Sequence, residues 1–262
     1  MADDMLDFLP SFPAFLLIFV RVTSFFLMMP LFSYRSIPAA HKIGLGFFLA
    51  WIMFLGMDVP MLEIDGTYFL LIIKEALVGL MVGFIAYLIL SAIQIAGGFI
   101  DFQMGFAIAN VIDPQTGAQS PLMGQYLYTI ALFFLLTVNG HHLMLDGVFY
   151  SYDFIPLDQA WISFGDEDMA EYVIKALNTM FVIAFQMSIP VVGSLFLVDV
   201  ALGIVARTVP QLNVFVVGLP LKIGVSFIVL VIVMSVLMYA VSLAFETMLQ
   251  TMRGLMELMG GS

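Results

Sequence analysis

Cysteine is absent from this 262-residue chain, which excludes disulfides, thiolate metal sites and cysteine nucleophiles. Charge is scarce as well: 10% of residues are charged, against about 25% in an ordinary soluble domain. Basic residues are the scarcest, 8 against 19 acids, and a formal charge of −11 excludes nucleic-acid binding by electrostatic attraction. No Gly-x-Ser-x-Gly, Walker-type loop or His-Glu-x-x-His occurs, so hydrolase, ATPase and zinc-protease readings lack their residues. A secretory signal needs a basic stretch ahead of its apolar run, and here Asp3, Asp4 and Asp7 stand there instead. No linker rich in Gly, Ser or Pro divides the chain, so residues 1–262 read as a single domain.

Apolar residues fill the space that charge leaves. They make up 63% of the chain, and mean hydropathy is +1.11. Such a composition excludes disorder, which needs low hydrophobicity and high charge. Runs suited to a crossing of about 20 residues lie at 8–32, 43–57, 76–100, 122–145, 176–198 and 223–245. Each is continuous, whereas a transmembrane barrel would alternate polar and apolar positions. The expectation is an all-α, polytopic membrane-type protein.

Charges inside these runs must be paired or buried in protein. Arg21 lies near the middle of the first run, too deep to reach water unaided, and reads first as a structural ion pair. Lys74 and Glu75 are adjacent, a spacing that does not place them on one helix face. Glu75, Gly79 and Gly83 do share a face, and Gly79-x-x-x-Gly83 lets another helix approach closely. Asp199, Gly203 and Arg207 form a second line at four-residue spacing, where direct pairing of Arg207 with Asp199 would need a break. Pro210, Gly218 and Pro220 punctuate the stretch from Arg207 to Lys222, which reads as bent or re-entrant. Arg207 is expected to bond Asp199 or a partner's acid.

A similar break is expected upstream, through Gly97-Gly98, Asp101, Gln103, Gly105, Asn110 and Asp113-Pro114. Breaker-rich apolar loops of this kind are usually functional. His142 and Asp146 could pair on one helix face, but a catalytic zinc needs a third ligand and none is near in sequence; Asn139-Gly140 reads as a helix-ending turn. No cofactor or metal is expected. The 20 Met and 26 Phe suit a flexible apolar constriction and suit ordinary core packing equally.

Three stretches carry a family resemblance: Gln103-Met104-Gly105-Phe106 running into Asp113-Pro114-Gln115-Thr116-Gly117; Phe134-Leu135 leading to Asn139-Gly140-His141; and Asp199 through Arg207, Pro210-Gln211 and Asn213 to Gly218-Leu219-Pro220-Leu221-Lys222. Arg21, Pro30, Arg35, Pro38 and Glu75 with Gly79 and Gly83 fit more loosely. Together they resemble the FliR family, the flagellar members of the type III export gate proteins, whose virulence-system relatives are the SctT proteins. The resemblance implies a structural, non-enzymatic gating subunit in the bacterial inner membrane at the flagellar basal body. It implies assembly with FliP-like and FliQ-like subunits, association with FlhB and FlhA, contact with lipid, and passage of unfolded exported proteins. It further implies that residues 1–200 are FliP-like and 201–262 a FliQ-like helical hairpin. Gln103, Met104, Gly105, Phe106, Ala107, Ile108, Asn110, Asp113, Pro114 and Gly117 then become the candidate plug loop. Arg21, Lys74, Glu75, Gly79, Gly83, Asp199, Arg207 and Lys222 become the candidate buried charges and packing positions. The residues alone leave two rivals: a secondary transporter with a solute site at the broken helices near Asp101 and Arg207, and an intramembrane hydrolase using His142 and Asp146.

Overall fold

Helix formation pairs the interior backbone N–H and C=O groups within one segment, which a single apolar segment in lipid cannot do otherwise. A computed structural model of the protein describes residues 11–33, 37–106, 121–159, 167–211 and 213–261. Among them are seven helices and no strand: α1 (Phe12–Met28), α2 (Ala39–Gly56), α3 (Gly66–Met104), α4 (Leu122–Thr137), α5 (Gly140–Phe154), α6 (Glu167–Thr208) and α7 (Val214–Gly260). The all-α, membrane-type expectation is borne out.

Local chemistry sets the helix ends. Pro13 sits in the first turn of α1, where its missing N–H costs nothing. The Asp65 carboxylate accepts the Tyr68 N–H at 3.0 Å and caps α3. Glu167 and Asp168 open α6, where acidic groups complement the helix dipole. Asn213 Oδ1 accepts the Phe215 N–H at 3.1 Å and starts α7. Asn139 adopts the left-handed conformation at φ 57°, and α4 and α5 meet there at a 73° bend. Asn tolerates that region better than most residues, so the run 122–145 becomes two helices.

Several expectations change. Four helices are long and apolar enough to cross a membrane, α2, α3, α6 and α7, and the bent α4–α5 pair makes a fifth. The first run, 8–32, yields α1, whose 17 residues fall short of about 20. Gly97, Gly98, Asp101 and Gln103 do not break the chain: they lie inside α3, which continues to Met104. Gly218 and Pro220 likewise lie inside α7, so the second break narrows to residues 209–213. Cooperative hydrogen bonding through a long helix carries single breakers that would stop a short one.

The chain divides into two compact units. The first comprises Met1–Ile89, Asn139–Leu177 and Glu246–Ser262. Here Phe15 of α1 meets Phe47, Trp51 and Phe54 of α2 edge-on, with centroids 5.3, 5.6 and 5.9 Å away. Gly79 and Gly83 of α3 lie against α1: a Cβ on Gly79 would overlap the Ser24 hydroxyl and Arg21 carbonyl, and one on Gly83 would come within 2.9 Å of the Phe25 carbonyl oxygen. The Tyr172 hydroxyl donates to the Thr251 carbonyl at 3.0 Å, tying α6 to the end of α7.

The second unit comprises Leu90–Val138 and Asn178–Phe245. Gly97 of α3 meets the backbone of Gly124 on α4, leaving no room for a Cβ. Phe134 stacks on Phe245 at 6.0 Å, and the Ser91 hydroxyl lies 3.2 Å from the Met180 sulfur. In their most apolar stretches α3 is 61% buried, whereas α6 and α7 are 17% and 22% buried, so most of the apolar surface of α6 and α7 faces outward.

The glycine contacts generate a contrast. Gly79→Ala forces a methyl into the α1 backbone and is expected to destabilise by about 1–3 kcal/mol. Gly98→Ala meets only Pro121 at 3.6 Å and should be tolerated. Thermal unfolding in detergent measures both, and equal losses would refute the close-approach role of Gly79.

Candidate functional site

In the first unit one carboxylate gathers two cations. Arg21 Nε and Nη2 donate to Glu75 Oε2 and Oε1 at 2.5 and 2.8 Å, a bidentate pair. Nη1 donates to the Ser151 hydroxyl at 2.9 Å, and Nη2 also donates to the Ile155 carbonyl at 2.9 Å. The guanidinium lies 3.8 Å over the Tyr152 ring, a cation–π contact. Lys74 reaches Glu75 Oε1 at 2.6 Å and donates to the Pro156 and Leu157 carbonyls at 2.8 and 3.2 Å. Lys74 and Glu75 therefore do pair despite adjacency, because the long lysine stem curls into the same buried site. Arg21, Lys74 and Glu75 are all buried.

In the second unit four helices meet where the candidate loop begins and ends. Gly105 terminates α3 with φ +90°, and the Phe106 N–H turns back to the Asp101 carbonyl at 3.0 Å. A Cβ at Gly105 would come within 2.6 Å of the Leu219 side chain on α7. Both oxygens of the buried Asp101 carboxylate accept the Met123 N–H, at 3.1 and 2.9 Å, so the end of α3 caps the start of α4. Gln103 Nε2 donates to Asp199 Oδ2 of α6 at 2.8 Å, and Lys222 of α7 forms an ion pair with the same carboxylate.

Asp199 is thus joined to Lys222 and not to Arg207, which is exposed and forms no ion pair among the described residues. The regular turns of α6 keep Arg207 two turns away from Asp199, while the 209–213 break brings α7 back alongside α6. Met104 is fully buried and anchors the end of α3; the free apolar surface there belongs to Phe102, 74% exposed. Ala107, Ile108, Asn110, Asp113, Pro114 and Gly117 lie outside the described residues, as does Arg35. The rings of His141 and His142 stand 4.1 Å apart at the α4–α5 corner. Among the described residues no three His, Cys, Asp or Glu side chains come together to hold a metal.

The bacterial export proteins, family 1, match this chain over residues 12–248, which takes in the ionic cluster, the loop base and the break together. The chain belongs to this family. It is 63% identical to the flagellar biosynthetic protein FliR of Bacillus subtilis (strain 168) over 96% of this chain and 97% of the relative. FliR of Escherichia coli (strain K12) is 27% identical over 79% and 78%, and the Yop proteins translocation protein T of Yersinia pestis 29% identical over 66% of each. The chain is a structural component of the flagellar type III export apparatus and a multi-pass membrane protein.

Asp101 was legible only as a polar residue in an apolar stretch; its cap on α4 joins residues 22 apart, and no local spacing announces it. Ser151, Tyr152 and the carbonyls of Ile155, Pro156 and Leu157 escaped altogether, because they enter the ionic cluster from a distant helix end.

Glu75→Gln in this export protein leaves Arg21 and Lys74 buried without their anion and is expected to cost about 3–5 kcal/mol. Replacing Arg21, Lys74 and Glu75 together by Met, Met and Leu should cost less than the single change, and unfolding midpoints in detergent read the difference. At the loop base, Lys222→Asp should impair motility, whereas Asp199→Lys with Lys222→Asp should restore part of it. The partly exposed pair is worth about 1 kcal/mol, so the effect is graded. A swap variant no better than the single one would show that the ion pair is incidental.

Proposed function

We propose that the chain is a gating subunit of the export channel in the bacterial inner membrane, and that the segment after Gly105 plugs the channel. The observation that supports this reading is the loop base. Asp101, Gly105 and the Gln103–Asp199–Lys222 bonds fasten both ends of residues 107–120 onto α3, α4, α6 and α7. A loop with anchored ends and an apolar, glycine-bearing composition can close a narrow aqueous path by excluding water. It needs only a few kcal/mol between closed and open states, so a passing chain can displace it.

FliP-like and FliQ-like subunits would pack on the outward apolar surface of α6 and α7, with FlhB and FlhA completing the apparatus. Unfolded proteins would be the passengers. Residues 1–200 would be the FliP-like part and 201–262 the FliQ-like part. Because α7 is one helix over Val214–Gly260, a FliQ-like hairpin would need α6 as its other arm, and its start would then move from residue 201 back to Glu167.

Deleting residues 106–112 tests the plug. The assembled complex should keep its composition and become leaky, with membrane conductance at least severalfold above the parent. A Gly105→Val variant should instead slow export, since a β-branched residue at φ +90° is strained by about 1–3 kcal/mol and meets Leu219. Equal conductance at equal assembly would reduce the segment to a connection.

A further inference from the structure

In the first unit a trough runs between α5 and the last third of α7. Leu143, Gly147, Tyr150 and Phe154 form one stripe of α5, and Leu249, Met252 and Met256 form the facing stripe of α7. The cavity measures about 710 Å³. Its α5 wall is three turns long, about 16 Å at about 1.5 Å per residue. Gly147 keeps the floor low: a Cβ there would stand 3.3 Å from the Met252 methyl. Met252 and Met256 are buried beneath, while Leu143 and Tyr150 are half exposed above. Spacing at three and four residues along both walls is the pattern that receives a helix.

Charge identifies the occupant. Asp146 and Asp153, two turns apart on α5, line the trough, and neither has a hydrogen bond or ion pair among the described residues. Arg253 across the trough is held by Glu257 at 3.0 Å on its own helix. An apolar trough with two uncompensated carboxylates seven residues apart fits an apolar helix carrying Lys or Arg at the same spacing. The chain's own N-terminal segment carries Asp3, Asp4 and Asp7 and has the wrong sign. Among the basic residues of this chain only Arg35 and Lys42 stand seven apart, and Pro38 between them is extended (φ −58°, ψ 142°), so a second copy does not offer that pair on one helix face.

We propose that this trough seats a basic, apolar helix from a different subunit of the export assembly. The proposal rests on membership of that assembly and is independent of the plug.

The absence of cysteine makes the test direct. Leu143→Cys and, separately, Tyr150→Cys each introduce the chain's single thiol. The chain is co-expressed with the other subunits of the export assembly and purified in mild detergent. A water-soluble maleimide then labels the native complex and the same complex unfolded in SDS. Labelling is expected to be at least tenfold slower in the native complex. A short bifunctional cross-linker on the thiol should join it to a peptide of another subunit bearing Lys or Arg. Adding Asp146→Lys and Asp153→Lys should restore fast labelling, while the corresponding Asn pair should fall between. Labelling within about twofold of the unfolded complex at both positions would overturn the proposal. So would a cross-link to lipid, to a second copy or to the chain's own N-terminus. Unchanged labelling in a complex whose plug deletion still leaks would remove the trough alone and leave the gate.

Discussion

Glu75 is the point on which the first unit turns. One carboxylate faces two buried cations, Arg21 from α1 and Lys74 from its own helix, so the charges do not cancel among these three. The remainder is met by backbone oxygen. The carbonyls of Ile155, Pro156 and Leu157, at the C-terminal end of α5, accept from the same cations. A helix C-terminus carries partial negative charge, and here that end is aimed at the excess positive charge. Three segments far apart in sequence are therefore held in register by one buried hydrogen-bonded cluster.

Close backbone approach makes that cluster reachable. Gly79 lies one turn beyond Glu75 on the face that meets α1, and the lack of a Cβ lets α3 come near enough for a bidentate arginine bond. Glycine repeats the service in the second unit, where Gly97 and Gly124 touch and Asp101 can reach the Met123 N–H. In both units a small residue sets the distance and a carboxylate one turn away uses it.

The helical architecture was legible because the apolar runs were long and uninterrupted, and Asn139-Gly140 announced its own corner. The interior charges could be read as needing partners, and Gly79 and Gly83 as a packing face. Partner identity could not be read. Asp199 takes Lys222 and not Arg207, since helix spacing forbids the local pair and the 209–213 turn supplies a distant one. Breakers were over-read: Gly97, Gly98, Gly218 and Pro220 all lie within long helices, where tertiary packing outweighs propensity. Lys74 shows the opposite error, in which a rule about facing positions overlooked the reach of a four-carbon stem.

The Asp101 cap on α4 has a consequence for loop length. With the ends of α3 and α4 tied by the Met123 N–H, the entropy of closing residues 107–120 is met once, at the tie. For a flexible loop each doubling of length adds only about 0.6 kcal/mol to closure. Insertions there should therefore leave the helix framework of this chain nearly untouched.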